Sequence, residues 1–127
     1  TRRRGEMNKK KDSESFLPLT PAMFHILLAL ADGEKHGYAI LKEVSRRTGG
    51  KVQLSAGTLY GNLARLESSG MILESERRPE FGLDDERRRY YLLTDLGREV
   101  AIAEARRMQE AVDQAYSKKL FRKAKLA

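Results

Sequence analysis

Five arginines bracket a short segment of chain breakers. Arg77 and Arg78 precede Pro79 and Gly82, and Arg87, Arg88 and Arg89 follow them. A guanidinium is a planar fork of N–H donors that matches phosphate oxygens, so such a cluster suits a polyanion. A second set of donors lies upstream in Gln53–Gly70, QLSAGTLYGNLARLESSG. Ser55, Thr58 and Asn62 can donate to phosphates or base edges, and Arg65 can reach a phosphate or a guanine edge. At 100° per residue, Leu59, Leu63 and Leu66 form one apolar stripe of a helix. The opposite side presents Gly57, Thr58, Gly61, Ala64, Arg65 and Ser68, and Tyr60 sits at the flank, where its ring can pack and its hydroxyl can meet the DNA backbone. Glycines inside a helix cost about 1 kcal/mol each relative to alanine. A slim outer face offsets that cost if the helix must enter a DNA major groove, which is about 12 Å wide. The plainer alternative is an amphipathic helix whose glycines let it pack tightly on a neighbouring helix.

The arginine cluster reads as the stem of a β-hairpin. Met71–Arg78 alternates as a strand, Pro79–Glu86 is a turn, and Arg87–Leu93 returns with the β-forming pair Tyr90-Tyr91. Guanidiniums on such a stem can straddle the phosphates beside a minor groove. Glu80, Asp84, Asp85 and Glu86 at the tip would be repelled by DNA. They either stay out of the groove or pair with the stem arginines in the free protein. Catalytic readings find little support. The two histidines, His25 and His36, are far apart in sequence, and there is no cysteine. No thiolate, zinc or haem site is expected, and no cofactor. The carboxylates are spread among cations and read as helix exteriors, with no isolated pair for acid–base work. An enzyme is therefore not expected.

These groups need elements to position them. Thr20 and Pro21 suit an N-cap and first turn, and Ala22–Ala31 is then apolar on nearly every side, through Met23, Phe24, Ile26, Leu27, Leu28 and Leu30. A helix apolar all round is buried all round, and a second subunit is one way to cover it. His25 within it reads as a core or interface residue. Gly37–Thr48 is a second helix, with Ile40, Leu41 and Val44 inward and Lys42, Glu43, Arg46 and Arg47 outward. Gly49-Gly50 breaks it. Ser55 caps the third helix and Gly70 ends it. Thr94 caps a last helix that runs from Asp95 to about Lys123, on the order of 43 Å at 1.5 Å per residue. Ala101, Ala105, Met108, Val112 and Ala115 form a narrow seam along it with coiled-coil spacing, which calls for a partner helix. Together with Met23 and Phe24 these are the candidate dimer contacts.

The expected fold is mainly α with a two-stranded β wing. Residues 1–15 form a basic tail, residues 16–93 a winged helix-turn-helix, and residues 94–127 a C-terminal dimerisation helix. The tail reads as a solvated extension in preference to an arm on DNA phosphates. At 127 residues there is room for one core. The net charge of +7 favours an anionic partner without specifying one. No apolar run approaches the roughly 20 residues that span a bilayer, and no signal peptide is visible, so a cytoplasmic protein with no membrane partner is expected.

At this point the residues resemble a known family. Leu19-Thr20 to Leu30, Gly37-Tyr38-Ala39-Ile40, Gly57-Thr58-Leu59-Tyr60, Leu63-Ala64-Arg65-Leu66-Glu67, Gly70-Met71-Ile72 and Arg89-Tyr90-Tyr91-Leu92-Leu93-Thr94 look like the PadR family of bacterial transcriptional regulators. The resemblance covers about Phe16 to Leu120. It implies a homodimeric winged-helix repressor that binds double-stranded DNA at a pseudo-palindromic operator. The single long last helix is similar to the shorter branch of that family, in which it builds the dimer with the first helix. Some members of that branch take a flat aromatic or drug-like effector between the subunits. Two departures stand out. Gly61 occupies a position where many members have proline. The chain has no tryptophan, so stacking of a planar drug on paired tryptophans is not carried over, and ligand binding is left open. The alternative function is a winged-helix module that binds a protein and has no operator of its own.

Overall fold

A computed structural model describes residues 13–76 and 89–121. Each main helix begins at a side-chain cap. Thr20 Oγ1 accepts from the Met23 N–H at 3.2 Å, with Pro21 opening α1 (Pro21–Ala29). His36 Nδ1 accepts from the Ala39 N–H at 3.0 Å and caps α2 (Gly37–Arg47). Ser55 caps α3 (Ala56–Ser68), and Thr94 caps α4 (Asp95–Ser117). The caps satisfy N–H groups that no helix can pair internally.

The ends are equally defined. Beyond α2 the Gly50 N–H reaches the Ser45 carbonyl at 2.7 Å, and beyond α3 the Met71 N–H reaches the Leu66 carbonyl at 2.9 Å. Both are Schellman turns, and both need left-handed backbone, which Gly49 (φ 62°) and Gly70 (φ 80°) supply. The tight Thr48–Ser55 link leaves α2 and α3 as a helix-turn-helix.

The sheet has three strands where two were expected. Ile72–Glu74 (β2) pairs antiparallel with Tyr90–Leu93 (β3), with Leu73 opposite Leu92. On the other side of β3 lies β1, the dipeptide Lys35–His36, with Lys35 opposite Tyr91 and His36 opposite Tyr90. Two residues are too short to show a strand period. Among the described residues, β2 and β3 are shorter than the expected strands Met71–Arg78 and Arg87–Leu93. Ile26, Leu27 and Leu30 meet Ile40, Val44, Leu59, Leu63, Leu66, Met71, Ile72 and Val100 in one core.

Three expectations are corrected. Glu43 does not face out: it is buried between Lys35, at 3.7 Å, and Arg47, at 2.5 Å. Nor do all carboxylates lie on helix exteriors. Glu104 is 2% exposed and accepts from the Leu19 N–H at 2.9 Å and from Arg107 Nε at 2.5 Å. Burial of a carboxylate is tolerated only when it is so paired. The last helix stops at Ser117, not near Lys123. Lys119 takes φ 65° and the Leu120 N–H closes on the Ala115 carbonyl at 3.0 Å, a Schellman turn built on a lysine. The rings of Tyr116 and Phe121 meet across that turn at 4.7 Å.

Glu104 ties the segment before α1 to α4, and the tie depends on pH. Hydrogen bonding from Arg107, aided by the Leu19 N–H, holds its carboxyl below the ordinary value of 4.5, against the opposing effect of burial. A depressed folded pKa stabilises the protein above the unfolded value and loses that contribution as pH falls through the folded one. Arg107→Ala removes the main cause. It is expected to lower the urea midpoint at neutral pH and to flatten the decline of stability below about pH 4.5. Urea titrations across that range check both.

Candidate nucleic-acid interface

Helix α3 buries Leu59, Leu63 and Leu66 and turns the row Gly57, Thr58, Gly61, Ala64, Arg65 and Ser68 to solvent. A Cβ added at Gly57 or at Gly61 meets nothing within 4 Å among the described residues. These glycines therefore do not serve helix packing within this set, which was the plainer reading. They leave an open, slim ridge.

The donors on this ridge are unequal. Ser55 is occupied as the cap: its hydroxyl accepts from the Thr58 N–H at 3.1 Å and donates to Thr58 Oγ1 at 2.9 Å. That arrangement leaves the Thr58 hydroxyl proton for an outside acceptor. Asn62 is half-buried, and its amide donates to the Thr58 carbonyl one turn back at 2.8 Å. Tyr60 is half-buried against α2, where a Cβ on Gly37 would lie 2.8 Å from the Tyr60 hydroxyl. Tyr60 thus packs the helix-turn-helix joint. Arg65 is exposed in the last turn of α3, with no ion pair to any described carboxylate. It is the one full charge on the ridge.

Of the stem arginines, Arg89 is described. Its guanidinium lies 3.4 Å from Glu74 Oε1, an ion pair between the end of β2 and the residue before β3. Glu74 is not one of the tip carboxylates weighed from the sequence as partners of the stem. Arg77, Arg78, Arg87 and Arg88 lie outside the described residues, as do the acidic tip residues Glu80, Asp84, Asp85 and Glu86 and the tail over residues 1–12.

The candidate dimer residues fall into two groups. Met23 and Phe24 on α1, and Ala101, Met108 and Ala115 on α4, are half-buried. Ala105 is exposed, and Val112 is 41% exposed. Ile102, Tyr116, Leu120 and Phe121 add exposed apolar surface that the seam did not include. Their signal was available as apolar residues beside the heptad positions. His25 on α1 stands edge-on to Phe24 at 5.8 Å, and its Nδ1 is buried with no hydrogen-bond partner among the described residues. No described helix is long and apolar enough to cross a membrane.

Known proteins place this architecture. The transcriptional regulator PadR-like family model matches residues 26–103. Transcriptional regulator Rv3488 of Mycobacterium tuberculosis is 40% identical over 86 residues, covering 68% of this chain and 73% of that protein. An uncharacterised 37.1 kDa protein of a Streptomyces fradiae transposon is 39% identical over 87 residues, but the match spans only 23% of its length. Among solved structures, a transcriptional regulator from Clostridium thermocellum superposes with a TM-score of 0.61 at 27% identity, over 76% of this chain and 87% of that one. A PadR family regulator from Clostridium difficile shares the fold, with a TM-score of 0.64 at 23% identity over 77% and 97% of the two chains. With a family model covering more than half of its length and a close relative named as a regulator, the chain belongs to the PadR-like family of transcriptional regulators, which are not enzymes.

Proposed function

We propose that this regulator is a cytoplasmic, sequence-specific DNA-binding repressor that reads a pseudo-palindromic operator as a homodimer. The observation that carries the reading is the open ridge of α3, where among the described residues nothing lies within 4 Å of a Cβ at Gly57 or Gly61 and no carboxylate pairs with Arg65. In a helix-turn-helix the second helix lies in the major groove. Here α3 is that helix, Thr58 and Arg65 are its available donors, and Ser55 and Asn62 contribute less because they serve their own helix. Tyr60 supports the joint. The stem arginines Arg77, Arg78, Arg87, Arg88 and Arg89 hold flanking phosphates. The dimer rests on Met23, Phe24 and the α4 seam, supported by the exposed apolar surface from Val112 to Phe121. A flat aromatic or drug-like effector between the subunits would release the operator.

Selection of duplexes from a random pool with the purified protein tests this directly. Enrichment of a two-fold symmetric site is expected. Arg65→Ala is expected to weaken binding to it by about 10- to 100-fold and to relax specificity at one position of each half-site. The species that binds should have twice the chain mass of 14.5 kDa. A pool that enriches nothing, with equally weak binding to every duplex, would instead favour a protein-interaction module. A monomer at micromolar concentration would remove the dimer. Titration with candidate aromatic compounds reads the effector as lost operator affinity.

A further inference from the structure

Tyr38, Lys42 and Arg46 follow one another at intervals of four along α2 and share one exposed face. Tyr38 is 49% exposed, and the Lys42 ammonium sits 4.9 Å from the centre of its ring. That contact differs from those of the neighbouring cations. Lys35 is neutralised by Asp32 at 2.5 Å, with Glu43 at 3.7 Å, and Arg47 is neutralised by Glu43. Lys42 has an aromatic partner and no carboxylate partner among the described residues. A ring steadies an ammonium without cancelling its charge. The result is a positioned cation, without a carboxylate against it among the described residues, beside an exposed tyrosine.

The location matters as much as the chemistry. On one side, Gly37 abuts Tyr60 of α3. On the other, the Tyr38 ring stacks on His36 at 6.4 Å, and His36 meets Tyr90 edge-on at 5.3 Å. Tyr90 follows Arg89 at the base of the wing. The α2 N-terminus therefore lies between α3, which it meets at Gly37 and Tyr60, and the wing stem, which it meets through His36 and Tyr90. A DNA strand that passes from the groove filled by α3 toward the wing crosses this place, since the first helix of a helix-turn-helix crosses the backbone.

We infer that Tyr38 and Lys42 form a phosphate contact on the operator backbone, with the Lys42 ammonium ion-paired to one phosphodiester and the Tyr38 hydroxyl donating to the same strand. The contact rests on the DNA-binding reading above. It adds affinity without base preference, because phosphates carry no sequence information directly.

The test uses an operator recovered by selection, with Arg65→Ala as reference. Lys42→Gln is expected to weaken binding about 10-fold, equally on cognate and mutated sites, and to lower the salt slope by about 0.9 per subunit bound. Lys42→Arg should keep the slope. Tyr38→Phe, which retains the ring, should lose less affinity than Tyr38→Leu. A second measurement leaves the protein intact: single phosphates are replaced by neutral methylphosphonates. One replacement per half-site should weaken the parent but leave Lys42→Gln unaffected. If Lys42→Gln keeps the parent's slope and no methylphosphonate discriminates the two proteins, the contact is overturned. Loss of affinity in Arg65→Ala alone would overturn it while leaving the operator reading intact. Parent-like binding by both variants would remove both.

Discussion

Gly97→Ala is expected to destabilise the protein by about 3 kcal/mol and to lower Tm by roughly 10 °C. Helix propensity alone points the other way, since alanine gains about 1 kcal/mol over glycine inside a helix. Packing decides the sign. Gly97 is buried at the start of α4, and a Cβ there would collide with the Met71 carbonyl oxygen and lie 2.8 Å from Leu93 Cδ1. The obstacle is backbone, and that backbone is held in place. The Met71 carbonyl accepts from the Thr94 N–H at 3.0 Å. The Thr94 hydroxyl donates to the Gly70 carbonyl at 2.6 Å while accepting from the Gly97 N–H at 3.0 Å. Relief would require α4 to move off the strand junction and break this set together. A thermal melt of Gly97→Ala at or above the parent's midpoint would show that α4 does not approach Met71 so closely.

That contact also marks the limit of what was legible without coordinates. Thr20, Ser55 and Thr94 are readable as caps because a cap oxygen and the N–H that donates to it lie within three residues. Leu59, Leu63 and Leu66 are readable as a stripe because a helix repeats over the same short range. Gly97 is not, because its neighbour is the Met71 carbonyl, brought in by the sheet. Glu43 and Glu104 look like surface carboxylates until the fold supplies Lys35 from β1 and the Leu19 N–H from 85 positions away. The same division runs through the candidate interface. The exposed row of α3 follows from its period. The occupation of Ser55 by Thr58, of Asn62 by its own helix and of Tyr60 by Gly37 reflects hydrogen bonds and a helix–helix contact that periodicity does not encode. The Tyr38–Lys42 pair was within reach as an aromatic and a cation four residues apart. Its relation to α3 and the wing was not.

Gly61 should give the opposite result to Gly97, and there stability and function should separate. A Cβ at Gly61 meets nothing within 4 Å among the described residues, and the position lies inside α3. Gly61→Ala is therefore expected to raise stability by about 1 kcal/mol, the helix-propensity difference, with little change in operator affinity because a methyl adds little width. Gly61→Leu should also fold at least as well as the parent, since leucine is a good helix former and the space is open. In the complex, however, its side chain would project from the ridge into a groove that the helix already fills. Operator affinity is then expected to fall by about 100-fold or more, the scale of one lost base-pair contact in each of two half-sites. Gly57→Leu should act the same way from the first turn, with a smaller gain in stability. A Gly61→Leu protein with a raised melting temperature and no operator binding would locate the function on this ridge. If that variant binds the selected operator like the parent, α3 does not enter the groove by this face, however the arginines of the wing behave.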